Sequence, residues 1–106
     1  MSVRCILAGL LLFGTLGASA PALAHTALCS CFDNGDGTIQ CEGGFSDGST
    51  ASGVRMVVKD ESEKILLEGK MNATSEFSFA KPAGAYVVVF DGGEGHSIEI
   101  KGVDIK

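Results

Sequence analysis

From residue 27 onward the apolar positions either alternate with polar ones or gather in runs of four to six, and no window shows them at i, i+3, i+4 and i+7. Period two belongs to strands with one buried face, and a short unbroken apolar run to a strand covered on both faces. Residues 28–32 and 38–42 flank Asp33-Asn34-Gly35-Asp36-Gly37, a run of turn-forming residues that predicts a hairpin. Residues 42–53 form a loop of Gly, Ser, Asp and Thr. Strands follow at 54–59 and 64–68, joined through Asp60-Glu61-Ser62-Glu63. Residues 76–80 alternate with Phe77 and Phe79 on one face, 85–90 are apolar on both faces as in a central strand, and 96–101 alternate again. Seven short strands at regular spacing predict an all-β protein, a small antiparallel β-sandwich.

Upstream the pattern is different. Arg4 is the single charged side chain of residues 1–24, an apolar run covers 5–13, and Ala22-Leu23-Ala24 gives a small-x-small exit site. This predicts a cleavable signal peptide over 1–24 and one domain over 25–106. Ala18-Ser19-Ala20 is a poorer cleavage site because Pro21 follows it. The apolar core is short for a membrane span and gives way to Gly14, Thr15, Gly17, Ser19 and Pro21, so no membrane association is expected after processing. The expected location is periplasmic or secreted.

Composition then sharpens the picture. The 106-residue chain has 13 acidic and eight basic side chains, four cysteines and two histidines, for a net charge of −5. Loss of residues 1–24 leaves 82 residues, a net charge of −6, three cysteines and both histidines. An acidic surface excludes a nucleic-acid partner, which requires a surplus of Lys and Arg. So short a chain leaves little room for a core and a substrate cleft together, so no enzyme is expected.

The residues Gly53-Val54-Arg55-Met56-Val57-Val58-Lys59-Asp60, Lys64-Ile65-Leu66-Leu67-Glu68-Gly69, Glu76-Phe77-Ser78-Phe79 and Pro82-Ala83-Gly84-Ala85-Tyr86-Val87-Val88-Val89 resemble, in order, the transthyretin-like (prealbumin-like) or carboxypeptidase-regulatory-like sandwich. That resemblance implies a Greek-key arrangement. Gly93-Glu94-Gly95-His96-Ser97-Ile98-Glu99-Ile100 is similar to the ends of periplasmic sandwich domains that accompany nickel and cobalt uptake, which implies metal handling.

Candidate chemistry lies in the histidines and cysteines. Cleavage after Ala24 would give His25 a free amine beside its imidazole Nδ1, a chelating pair that one further imidazole completes to a three-nitrogen set suited to copper or nickel. His96 is the only other histidine, behind Gly92, Gly93 and Gly95. The pair resembles the histidine brace of periplasmic copper-binding sandwiches, without their Asp-x-His near the end. Asp91 and Glu94 are candidates to orient the His96 ring. Cys29, Cys31 and Cys41 leave two alternatives open. One is a disulfide, Cys31–Cys41 across the hairpin or else Cys29–Cys41, with an odd thiol left over. The other is a thiolate ligand set with His25, suited to zinc or Cu(I).

Three functions therefore stand. The first is an exported metal-binding accessory domain for nickel, cobalt or copper, with capture and hand-over to a protein partner. The second is a non-catalytic interaction module with a stapled hairpin. The third is a small thiol–disulfide protein using Cys29 and Cys31. The loop Asp33–Thr38 is not an EF-hand, because both anchoring carboxylates and the flanking helices are missing. Asp33, Asp36 and Glu42 could at most form a weak cation site. Asn72-Ala73-Thr74 is a glycosylation sequon if the source is eukaryotic.

Overall fold

A computed structural model describes residues 25–106; the predicted signal peptide lies outside the described residues. Seven strands follow one another: β1 (Ala27–Asp33), β2 (Thr38–Phe45), β3 (Arg55–Lys59), β4 (Ile65–Lys70), β5 (Glu76–Ala80), β6 (Val87–Asp91) and β7 (Ser97–Lys101), then a single 3₁₀ turn, Gly102–Asp104. They form two antiparallel sheets, β1-β2-β5 and β4-β3-β6-β7. The chain crosses between the sheets after β2, after β4 and after β5. Among the described residues no helix is long and apolar enough to cross a membrane.

The period-two pattern explains which side of each strand is buried. Ile39 and Cys41 of β2, Met56 and Val58 of β3, and Val88 and Phe90 of β6 are fully buried and meet in one core between the two sheets. Phe79 of β5 and Tyr86, just before β6, complete it. β6 is central, between β3 and β7, as its two-sided apolar run requires. On the outer face of the same sheet, Arg55 spans Glu68 of β4 and Asp91 of β6 at 2.6 and 3.0 Å. Lys59 reaches Glu99 of β7 at 3.3 Å, so the long stems of Arg55 and Lys59 flank Val57, which lies between them on β3 and is nearly buried.

The turns are built from side chains that satisfy the backbone. Between β1 and β2, Asp33 Oδ1 accepts from Gly35 N–H at 2.8 Å, and Asp36 Oδ1 from Thr38 N–H at 3.0 Å. The segment is thus a hairpin turn. Asp33 Oδ2 is engaged by Lys81 at 2.9 Å, while Glu42 lies toward the far end of β2, opposite Ser30. The weak cation site of Asp33, Asp36 and Glu42 is therefore not assembled. Asn72 forms an equivalent turn before β5, its Oδ1 accepting from Thr74 and Glu76 N–H.

β1 and β7 are edge strands of different sheets that start at the same end of the molecule. Their other ends are tied through the C-terminal tail, where Asp33 N–H donates to the Lys106 carbonyl at 3.1 Å. The segments that enter β1 and β7 thus meet at the seam between the sheets, and each carries a histidine.

Candidate functional site

His25 is placed by an extension of the β1–β2 ladder. Ser46 N–H donates to the Thr26 carbonyl at 2.9 Å and Thr26 N–H to Ser46 Oγ at 2.7 Å, one step beyond the Ala27–Phe45 pair. β2 then turns back on itself, Gly48 N–H reaching the Phe45 carbonyl at 2.9 Å. Asp47 sits in this turn. Its Oδ1 accepts from both the N–H and the hydroxyl of Ser49, at 2.9 and 2.6 Å. Those two donors, with a smaller contribution from His25, hold its carboxyl below the usual range.

His96 is placed by the β6–β7 hairpin. Gly92 N–H donates to the His96 carbonyl and His96 N–H to the Gly93 carbonyl, at 3.1 and 2.8 Å. Gly93 and Gly95 take φ of 101° and 83°, the left-handed region that glycine enters without strain. At Gly92 a Cβ would lie 2.9 Å from the His96 carbonyl oxygen, so the bare backbone is what lets the loop close this tightly.

The two imidazoles stack, ring centroids 4.9 Å apart and planes inclined by 20°. Phe45 meets both rings edge-on, at 5.4 Å from His25 and 5.9 Å from His96, and itself rests on the fully buried Phe90 at 5.9 Å. Phe45 is thus a wedge between the core and the histidine pair. Asp47 Oδ2, the oxygen that Ser49 leaves free, lies 3.5 Å from His25 Nδ1. His25 is exposed, so its ring can turn, whereas Ser49 holds the Asp47 carboxylate in place. Among the described residues, no three His, Cys, Asp or Glu side chains converge as a ready-made ligand set. What the arrangement offers is two adjacent imidazoles on an apolar support, with one carboxylate beside them.

The other predicted residues lie elsewhere. Asp91 does not orient His96: its carboxylate is bonded to Arg55 and to Gly93 N–H, which hold it below the ordinary range, the Arg55 contact contributing most. Glu94 is exposed at the loop tip, and among the described residues no hydrogen bond joins it to His96. The cysteines do not form a thiolate set. Cys31 and Cys41 face each other across β1 and β2, Cα atoms 4.0 Å apart, and are joined as a disulfide. They occupy a narrow, non-hydrogen-bonded pair of the ladder, the closest approach two antiparallel residues make. Disulfide sulfurs carry no thiolate charge, so the Cys₃His alternative is replaced by the staple. Among the described residues Cys29 is the free cysteine, half-buried opposite Gly43, and burial pushes its thiol up to about 11. A protonated thiol is a poor nucleophile, which counts against the exchange reading of Cys29 and Cys31.

Two residues of the site escape the sequence pattern. Phe45 looks like one more apolar residue in a Gly-rich loop, and Asp47 one more turn-forming acid. Only the Asp-x-Ser spacing of Asp47 and Ser49 signals a carboxylate with one oxygen tied down.

The chain matches no protein-family model, no curated protein and no solved structure.

Proposed function

We propose that this protein is an exported metal-capture domain that binds a divalent first-row transition ion, copper or nickel, through His25 and His96 and passes it on without bond-making chemistry. One observation carries the reading. The only two histidines of the chain enter different sheets from distant points in the sequence, yet their rings stack at 4.9 Å. Imidazole nitrogen suits these ions. Processing after Ala24 would add the His25 amine, giving a nitrogen-rich set from two residues.

Each part of the chain has a task in this reading. Phe45 supports both rings from the core side and keeps water from one flank of the site. The glycines of the β6–β7 loop leave room for an ion to approach, and the exposed position of His25 suits release to a partner. Bound metal supplies no reaction here; it is the cargo. The transthyretin-like attribution of the sandwich belongs to the same proposal and rests on strand number and the two-sheet arrangement.

The test is mass spectrometry of protein recovered after export, first native and then denatured, with Cu(II), Ni(II), Co(II) and Zn(II) offered singly. The expected result is a chain that begins at His25, carries one intramolecular disulfide and one free thiol, and binds one Cu(II) or Ni(II), with His96→Ala losing that ion. A different N-terminus together with no bound ion would overturn the reading in favour of an interaction module built on the stapled hairpin.

A further inference from the structure

We infer that Asp47 is a metal ligand of this site, joining His25 and His96 through its free oxygen Oδ2, and that it makes the site selective for Cu(II) over Cu(I). The inference rests on the metal-capture reading and names a donor that the sequence pattern does not offer.

Three observations carry it. First, the Asp47 carboxylate is set in position before any ion arrives: Oδ1 takes both hydrogen bonds from Ser49, so Oδ2 is the oxygen presented outward. Second, Oδ2 faces His25 Nδ1, the nitrogen that a terminal histidine shares with its amine in a chelate, at 3.5 Å. Two donors each about 2 Å from a common ion stand roughly 3 to 4 Å apart, so this spacing accepts an ion between them with little movement. Third, among the described residues Asp47 is the acidic residue paired with a histidine of the cluster, while Asp91 is held by Arg55 and no hydrogen bond or ion pair joins Glu94 to either histidine.

The rest of the set assembles by rotation of two imidazoles, the exposed His25 and the half-buried His96. The stacked rings present their faces to each other, so His96 must turn to aim a nitrogen at an ion beside His25. The β6–β7 loop fixes its backbone but leaves its side chain on the surface side of Phe45. The consequence for selectivity follows from donor hardness. A carboxylate oxygen favours a divalent ion, and adds charge that offsets one of its two positive charges. Cu(I) is satisfied by two imidazoles alone and gains little from a hard oxygen.

The test uses the processed protein, with its N-terminus confirmed by intact mass, and compares it with Asp47→Asn. Asparagine keeps an oxygen for Ser49 and removes the charge. Competition titrations with Cu(II) alone, and with Cu(I) under reductant, give the two affinities. Electron paramagnetic resonance of the Cu(II) form reports the donor set. The expected result is a Cu(II) affinity about tenfold or more weaker in D47N, in the range typical of changes around a metal. Its Cu(II) spectrum should shift toward fewer oxygen donors, and its Cu(I) affinity should stay within about twofold. Should D47N fail to fold, Ser49→Ala, which frees the carboxylate without removing it, is expected to weaken Cu(II) binding by a smaller factor with Cu(I) unchanged. D47N that binds Cu(II) like the parent with an unchanged spectrum overturns the role of Asp47 and leaves the histidine reading intact. A parent protein that binds Ni(II) but no Cu(II) overturns the Asp47 proposal alone, and one that binds neither ion overturns both.

Discussion

At the scale of single residues, the sharpest contrast is between cysteines two positions apart. Cys31 and Cys29 share the inward face of β1, but Cys31 meets Cys41 across the ladder and Cys29 meets Gly43. Gly43 has no choice of side chain: a Cβ there would lie 2.8 Å from the Phe90 ring and 2.9 Å from the Met71 sulfur. The odd thiol is therefore half-buried beside a glycine with nothing to bond, and its raised pKa follows from desolvation of the thiolate. Because the folded pKa lies above the ordinary value near 8.5, burial favours the protonated form. The stability this contributes is complete below about pH 8.5 and is lost as pH rises toward about 11. Iodoacetamide at pH 7.5 should leave Cys29 unlabelled in the native protein and label it fully in denaturant; rapid native labelling would show that the thiol is not buried.

At the scale of elements, the β6–β7 hairpin decides where His96 stands. The loop returns within five residues, through two glycines at positive φ and a third, Gly92, pressed against the His96 backbone. Gly92→Ala introduces a contact with backbone, which cannot swing aside as a flexible side chain would. A cost of about 1 to 3 kcal/mol is expected, typical of an inserted methyl in a tight site, along with a His96 displaced from Phe45 and weaker Cu(II) binding. Thermal melts and Cu(II) titration of G92A check both parts; a variant with unchanged melting and affinity would mean that the loop does not set the histidine. The Gly-rich loop was legible in the sequence as Gly-Gly-x-Gly before an alternating run, but its closure into a hairpin comes from the β6–β7 pairing. Its partner across the site, the turn after β2, was not, because residues 42–53 give no periodic signal and their course is fixed by hydrogen bonds between Phe45, Ser46, Asp47 and Ser49.

At the scale of the whole molecule, a domain of about 80 residues buries a modest core and has little stability to spare. The Cys31–Cys41 bond ties β1 to β2 from the core side, where Cys41 is fully buried. Closing so short a loop lowers the entropy of the unfolded chain by an amount equivalent to about 3 kcal/mol. Replacing both cysteines by alanine should lower stability by about that much in urea unfolding, and loosen β1, whose N-terminal extension carries His25. Cu(II) binding should then weaken alongside stability. A double variant as stable as the parent would show that the staple is dispensable.

By itself the sequence determined the seven strands, their buried faces, the central place of β6, the hairpin turn of Asp33–Thr38 and the pairing of Cys31 with Cys41 as one of its alternatives. All of these depend on local periodicity or on residues a single turn apart, where chain geometry leaves few options. It also singled out His25 and His96 by chemistry. Only the tertiary structure decided that they meet, because their proximity follows from β1 and β7 entering two different sheets at the same end of the seam. The same packing set Phe45 beneath the rings, turned Asp47 toward His25 and withdrew Asp91 to Arg55. These contacts join residues far apart along the chain, and no local pattern encodes a distance that two sheets create only when they close on one core.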